Sequence, residues 1–134
     1  QELGLPRTNF WIYPGNDYDA ALDVFMDDQD AAFPIVYISF PSAKDPRWPV
    51  EHGETATVQC IGFGGFEDFA QWAETPWRRR GEGYEAVKDL FQEQMLGILG
   101  GLHPNVREHI DWAEVSTPLS TARIAASSFA SKAL

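Results

Sequence analysis

Two stretches decide the fold: residues 33–40, FPIVYISF, and residues 55–63, TATVQCIGF. The first is rich in β-branched and aromatic residues and is halted by Pro41, and the second alternates along its length. Both read as strands. Successive strand side chains point to opposite faces, so residue parity sorts them. One face carries Val36, Ile38 and Phe40 with Ala56, Val58 and Cys60, a set suited to a core beneath helices. The other carries Tyr37 and Ser39 with Thr57, Gln59 and Ile61. That second face is too polar for a core and too poor in charge for a plain solvent face. Trp11 and Tyr13, from a third β-prone run at residues 9–13, are candidates to join it. Two readings stand: the floor beneath a mostly apolar ligand, or the wet face of an ordinary antiparallel sheet.

Working outward, Pro14-Gly15 makes a turn, and Asn16 or Asp17 can cap a helix over residues 18–28. Tyr18, Ala21, Leu22, Phe25 and Met26 share one side of it, leaving the aspartates outside. Residues 42–53 hold two of the nine prolines, Pro46 and Pro49, and read as a loop. Gly64-Gly65 ends the second strand, and residues 66–73 read as a short helix or turn. Residues 75–83 form a basic connector. A long helix is expected over residues 84–99, striped by Tyr84, Val87, Phe91, Met95, Ile98 and Leu102, with Gly100-Gly101 as its stop. Pro104 can open a short helix, residues 110–115 alternate as a further strand, and residues 122–134 form a helical tail. The class expected is α+β: an antiparallel sheet of about three to five strands with helices packed on one face.

The 134 residues suit one domain, and 13% aromatics exclude a disordered chain. Cys60 is the single cysteine, which excludes an internal disulfide framework. The net charge of −10 lies in the first half, where residues 1–74 carry 13 acids against 3 bases. An acidic surface argues against nucleic acid as a partner, because phosphate contacts need Lys/Arg patches. No apolar run approaches a membrane span, and the N-terminal residues lack the pattern of a signal peptide. The chain thus reads as soluble or peripherally membrane-associated.

Familiar catalytic patterns fail in turn. The aspartates at 17, 19, 23, 27, 28 and 30 are interrupted by Ala20, Ala21 and Leu22 and lack the glycine of a calcium loop. Gly62-Phe63-Gly64-Gly65 would need a third glycine where Glu67 stands to read as a dinucleotide fingerprint. His52, His103 and His109 do not cluster, so no metal is expected. Cys60 shares a strand face with Val58 and reads as a small buried apolar residue. Arg78-Arg79-Arg80 reads as a solvated connector, with an anionic headgroup or a cofactor phosphate as the alternative.

Phe40-Pro41-Ser42-Ala43-Lys44-Asp45-Pro46-Arg47-Trp48 resembles a segment of retinol saturases, within the phytoene desaturase and carotenoid isomerase superfamily of FAD-dependent oxidoreductases. The resemblance continues in order through Phe69-Ala70-Gln71-Trp72 and through Arg80-Gly81-Glu82-Gly83-Tyr84-Glu85 with Lys88 behind it. It then takes in the helix from Phe91 to Leu102 before Pro104, and Ser116-Thr117-Pro118-Leu119. It covers about residues 33–120, five elements in the right order. The family's nucleotide-binding glycine motif and its second FAD-contacting segment have no counterpart in this chain, and the family's glycine-rich stretch after Leu119 is replaced by Ala125-Ala126-Ser127-Ser128.

The resemblance implies that residues 1–134 are a single α+β substrate-binding domain of a larger FAD-dependent oxidoreductase acting on retinoid-like or carotenoid-like polyenes. In that reading FAD is held by an FAD-binding domain of the same polypeptide, carries the redox chemistry, and is not bound by this chain, which is inactive in isolation. No residue here is expected to be catalytic. Tyr37, Ser39, Thr57, Gln59 and Ile61 are expected to line the substrate side, with Thr117 and Pro118 near its rim. Expected partners are a hydrophobic small-molecule substrate, the FAD-binding domain, the membrane surface, and a second copy of the chain through the exposed face. The alternative is a non-enzymatic carrier of apolar ligands, or an interaction module, that kept the fold without the cofactor.

Overall fold

The computed structural model describes residues 4–28, 30–76 and 78–130, the last six of these by their backbone alone. Three short strands, β1 (Phe10–Ile12), β2 (Val36–Ser39) and β3 (Gln59–Gly62), form an antiparallel sheet in the order β1-β2-β3. Trp11 lies opposite Tyr37 and Tyr37 opposite Ile61, while Ile38 lies between Phe10 and Cys60. A slip of one residue would invert every side chain, so these pairings put Trp11, Tyr37 and Ile61 on one face and Phe10, Ile38 and Cys60 on the other. The ladder is shorter than the two β-prone stretches. Pro34 has no N–H to donate, and the Thr57 N–H is taken by the Ser42 hydroxyl at 2.9 Å.

The described residues divide into two compact units, one formed by residues up to 63 with 94–110, the other by 64–93 with residues from 111 onward. The first holds the sheet and helix α1 (Tyr18–Asp27), which Asp17 caps by accepting from the Ala20 N–H at 3.0 Å. Only part of the expected α1 stripe is inside: Phe25 is buried and Ala21 and Leu22 are half-buried, but Tyr18 and Met26 are exposed. Tyr18 leans instead on Tyr13, ring centroids 4.7 Å apart. Phe25 packs on Phe33, and Phe40 is met edge-on by Phe10 and His103. Val36, Ile38 and Phe40 are almost wholly excluded from solvent, so the β2 half of the expected apolar face is core, while Val58 and Cys60 are half-buried and Ala56 is exposed.

Residues 42–53 are not a loop. They hold two short helices, α2 (Pro41–Lys44) and α3 (Trp48–His52), each with proline in its first turn. Proline fixes φ near the helical value and lacks an N–H that would be unpaired there anyway. Prolines that read as breakers therefore act as starters. Gly53 closes α3 at φ 64°, a region other residues enter only with strain.

Helix α4 (Glu82–Leu102) contributes to both units and runs through Gly100 and Gly101. A glycine stop requires a left-handed φ, and neither glycine has one. Buried Leu99 and half-buried Leu102 hold the last turn, and the His103 N–H still reaches the Leu99 carbonyl at 2.9 Å. In the first unit α4 meets the sheet at Gly62, where a Cβ would lie 2.7 Å from Met95 Cε and 2.9 Å from Phe33 Cε1. Past Pro104, a 3-10 turn spans Val106–His109.

In the second unit a 3-10 segment, Glu67–Trp72, places buried Phe69 against Tyr84 and Phe91 of α4. Residues 110–115 form no strand. The alternation there never finds a buried side, and Trp112 is 76% exposed. Helix α5 (Pro118–Ala130) begins four residues before its expected start, because Pro118 opens it and Thr117 precedes it as cap. The expected tail beyond residue 130 lies outside the described residues.

Candidate functional site

The outer face of the sheet is a graded surface. At one register Trp11, Tyr37 and Ile61 cross all three strands. Trp11 is 61% and Ile61 52% exposed, Tyr37 is half-buried, and the Trp11 and Tyr37 rings lie 4.8 Å apart. Two residues further along β2 the surface turns polar. Ser39 pairs with exposed Gln59, and the Ser39 hydroxyl, itself buried, accepts from Lys44 Nζ at 2.8 Å. Lys44 also donates to Asn9 Oδ1. This lysine was missed in the sequence because it closes α2, a helix read there as loop, and its chemistry depends on a turn that brings it back over β2.

Thr57 lies before β3 with its side chain exposed, and its backbone is clasped by Ser42 through N–H and carbonyl both. Four of the five expected sheet residues, Tyr37, Ser39, Gln59 and Ile61, therefore share one face inside the ladder, and Thr57 sits just beyond its end. Cys60, on the core side, has its thiol pushed up to about 11 by burial, which keeps it protonated and unreactive at neutral pH.

Thr117 and Pro118 belong to the other unit. Thr117 is 2% exposed and its hydroxyl lies 2.6 Å from the Tyr84 hydroxyl. The same phenol accepts from Arg80 at 2.6 Å and lies 3.4 Å from the Ser120 hydroxyl. The Arg80 guanidinium sits 4.9 Å from the Tyr84 ring centroid, and Trp72 and Phe69 meet that ring edge-on. Burial pushes the Tyr84 phenol up, but hydrogen bonds from Ser120, Thr117 and Arg80, with the Arg80 charge, bring it below the ordinary tyrosine value.

Among the described residues the glycine run at Gly62–Gly65 does not fit a flavin dinucleotide. β3 belongs to an antiparallel sheet, Gly62 is followed by loop and a 3-10 segment, and Glu67 stands at the position of the third glycine. A pyrophosphate cradle needs a helix N-terminus behind a glycine turn in a βαβ unit. The histidines are dispersed: His103 on Phe40, His52 stacked on Trp48 at 4.1 Å, and His109 bonded to the Asn105 carbonyl. Among the described residues no cluster of metal-ligating side chains occurs, and no helix is long and apolar enough to cross a membrane.

Comparison with known proteins adds a second line. The chain is similar to "All-trans-retinol 13,14-reductase" of Danio rerio, 27% identical over 124 residues, and to that of Homo sapiens, 30% identical over 124 residues. Each alignment covers 90% of this chain and 20% of the relative. It is also similar to "Inactive all-trans-retinol 13,14-reductase" of Danio rerio, 29% identical over 131 residues, 95% of this chain and 22% of the relative. The chain thus spans about a fifth of the length of the curated relatives it matches. No family profile matches it, and no solved structure does.

Proposed function

We propose that this chain, retinol saturase-like along nine-tenths of its length, is the substrate-facing part of an FAD-dependent oxidoreductase acting on retinoid-like polyenes. The observation that carries the reading is the row Trp11, Tyr37 and Ile61 across the outer sheet face. Aromatic and aliphatic side chains at one register make an apolar bed, and flanking hydroxyl and amide groups can set the orientation of what lies on it. Tyr37, Ser39, Gln59 and Ile61 are the contacts assigned to substrate on the face itself, with Thr57 at its margin. Their work is to hold an apolar chain in register and keep water from it. FAD is assigned to segments outside this chain, because the glycine run at Gly62–Gly65 lacks the third glycine and the following helix that a pyrophosphate cradle needs. The chain alone is assigned no catalytic activity.

A second reading has its own support. A relative whose name calls it inactive matches 95% of this chain, so the same fold is compatible with an apolar-ligand carrier or interaction module without redox chemistry. Purification of the full-length protein separates the two. The enzyme reading expects a flavin absorption band and conversion of all-trans-retinol to the product saturated at its 13,14 bond. A full-length protein that binds all-trans-retinol, carries no flavin and leaves the ligand unchanged would establish the carrier instead.

A further inference from the structure

The polar end of the sheet face has a chemistry of its own. Lys44 Nζ is held by two neutral oxygens, Ser39 Oγ and Asn9 Oδ1. An ammonium carries three N–H donors, so two are engaged within the fold and a third remains for an acceptor. Among the described residues no carboxylate neutralises this charge. The nearest acid in sequence, Asp45, turns its Oδ1 to the Arg47 N–H at 2.8 Å. The anchorage is firm underneath, since Ser39 is buried and α2 is tied to the chain before β3 through Ser42 and Thr57. Lys44 is thus a fixed cation at the edge of an apolar bed.

Distance makes the two parts one surface. Ser39 and Tyr37 lie on the same face two residues apart, about 7 Å along an extended strand. The apolar row itself crosses three strands, about 10 Å of sheet. We propose that Lys44, seated on Ser39 and Asn9, receives the single acceptor-bearing end group of an elongated polyene whose hydrocarbon lies across Tyr37, Trp11 and Ile61. The ligand class is an amphiphile with a hydroxyl or carboxylate at one end. A pure hydrocarbon lying over this exposed lysine would take water from its third N–H and offer no acceptor in return, which is costly. Lys44 therefore selects against hydrocarbons and fixes which end of the chain points along β2. This inference rests on the outer face being the substrate floor.

The test is equilibrium binding of three probes to the full-length protein: all-trans-retinol, all-trans-retinoic acid, and a hydrocarbon polyene of the same length with no polar end. The parent is expected to prefer both polar-ended probes over the hydrocarbon by about tenfold or more, the carboxylate being favoured by its charge. Lys44→Met is expected to reduce that preference to about threefold or less while the hydrocarbon still binds, which also reports an intact fold. Lys44→Arg should keep it. A Lys44→Met protein that retains the full preference overturns the assignment of Lys44. Equal binding of all three probes by the parent overturns it as well. If Trp11→Ala and Tyr37→Ala leave the affinity for every probe unchanged, or no probe binds the parent, the substrate-floor reading itself fails, an outcome distinct from failure of Lys44 alone.

Discussion

Tyr84 draws the family-like motifs of its unit together. Phe69 and Trp72 pack on its ring, Arg80 and Lys88 lie near its faces, and Thr117 and Ser120 close on its hydroxyl. Motifs far apart in sequence are thus explained by one buried side chain and its neighbours. Tyr84→Phe removes the hydroxyl but leaves buried Thr117 and the Arg80 donor to find other partners, at a cost of about 1–3 kcal/mol. The cost depends on pH. A folded phenol that ionises below the unfolded one contributes extra stability as pH rises through the folded pKa toward the unfolded value near 10, and none of it at lower pH. Denaturant unfolding should therefore show a parent-to-variant gap that widens from about pH 7 to about pH 9.5. A gap that narrows over that range would contradict the network.

At the scale of elements, α4 yields the sharpest contrast between sequence and structure. Gly100 and Gly101 have helical backbone, and a Cβ at either would meet nothing within 4 Å. Gly100→Ala and Gly101→Ala should each stabilise the chain by about 0.5–1 kcal/mol, because alanine loses less backbone freedom on folding. A loss of stability in thermal unfolding would mean that the helix ends there in a left-handed cap. Strand parity was legible because register leaves little choice once one face is Val36, Ile38 and Phe40. The extent of elements was not. Pairs of glycines and first-turn prolines carry either sign, and the outcome depends on tertiary partners such as Leu99 and Thr55, whose carbonyl accepts from the Trp48 indole at 2.8 Å. Lys44 was hidden for the same reason, and so was the burial of Thr117, a residue whose hydroxyl suggests a surface until Tyr84 is seen above it.

At the scale of the whole molecule, a sheet with one buried face and one aromatic, half-open face implies a further occupant for the second. The exposed area of Trp11 and Ile61 costs little in an isolated strand but marks a contiguous apolar surface when both flank Tyr37. In the proposed function this occupant is the polyene substrate of a longer flavoenzyme. Steady-state kinetics of the full-length protein with all-trans-retinol tests that most directly. Each of Tyr37→Ala and Ile61→Ala removes apolar contact worth about 1.5–3 kcal/mol if the ligand covers it fully. We expect kcat/KM to fall about tenfold or more in both, while Val24→Ala, an exposed position on α1, matches the parent. Folded Tyr37→Ala and Ile61→Ala proteins with the parent's kcat and KM would contradict the account.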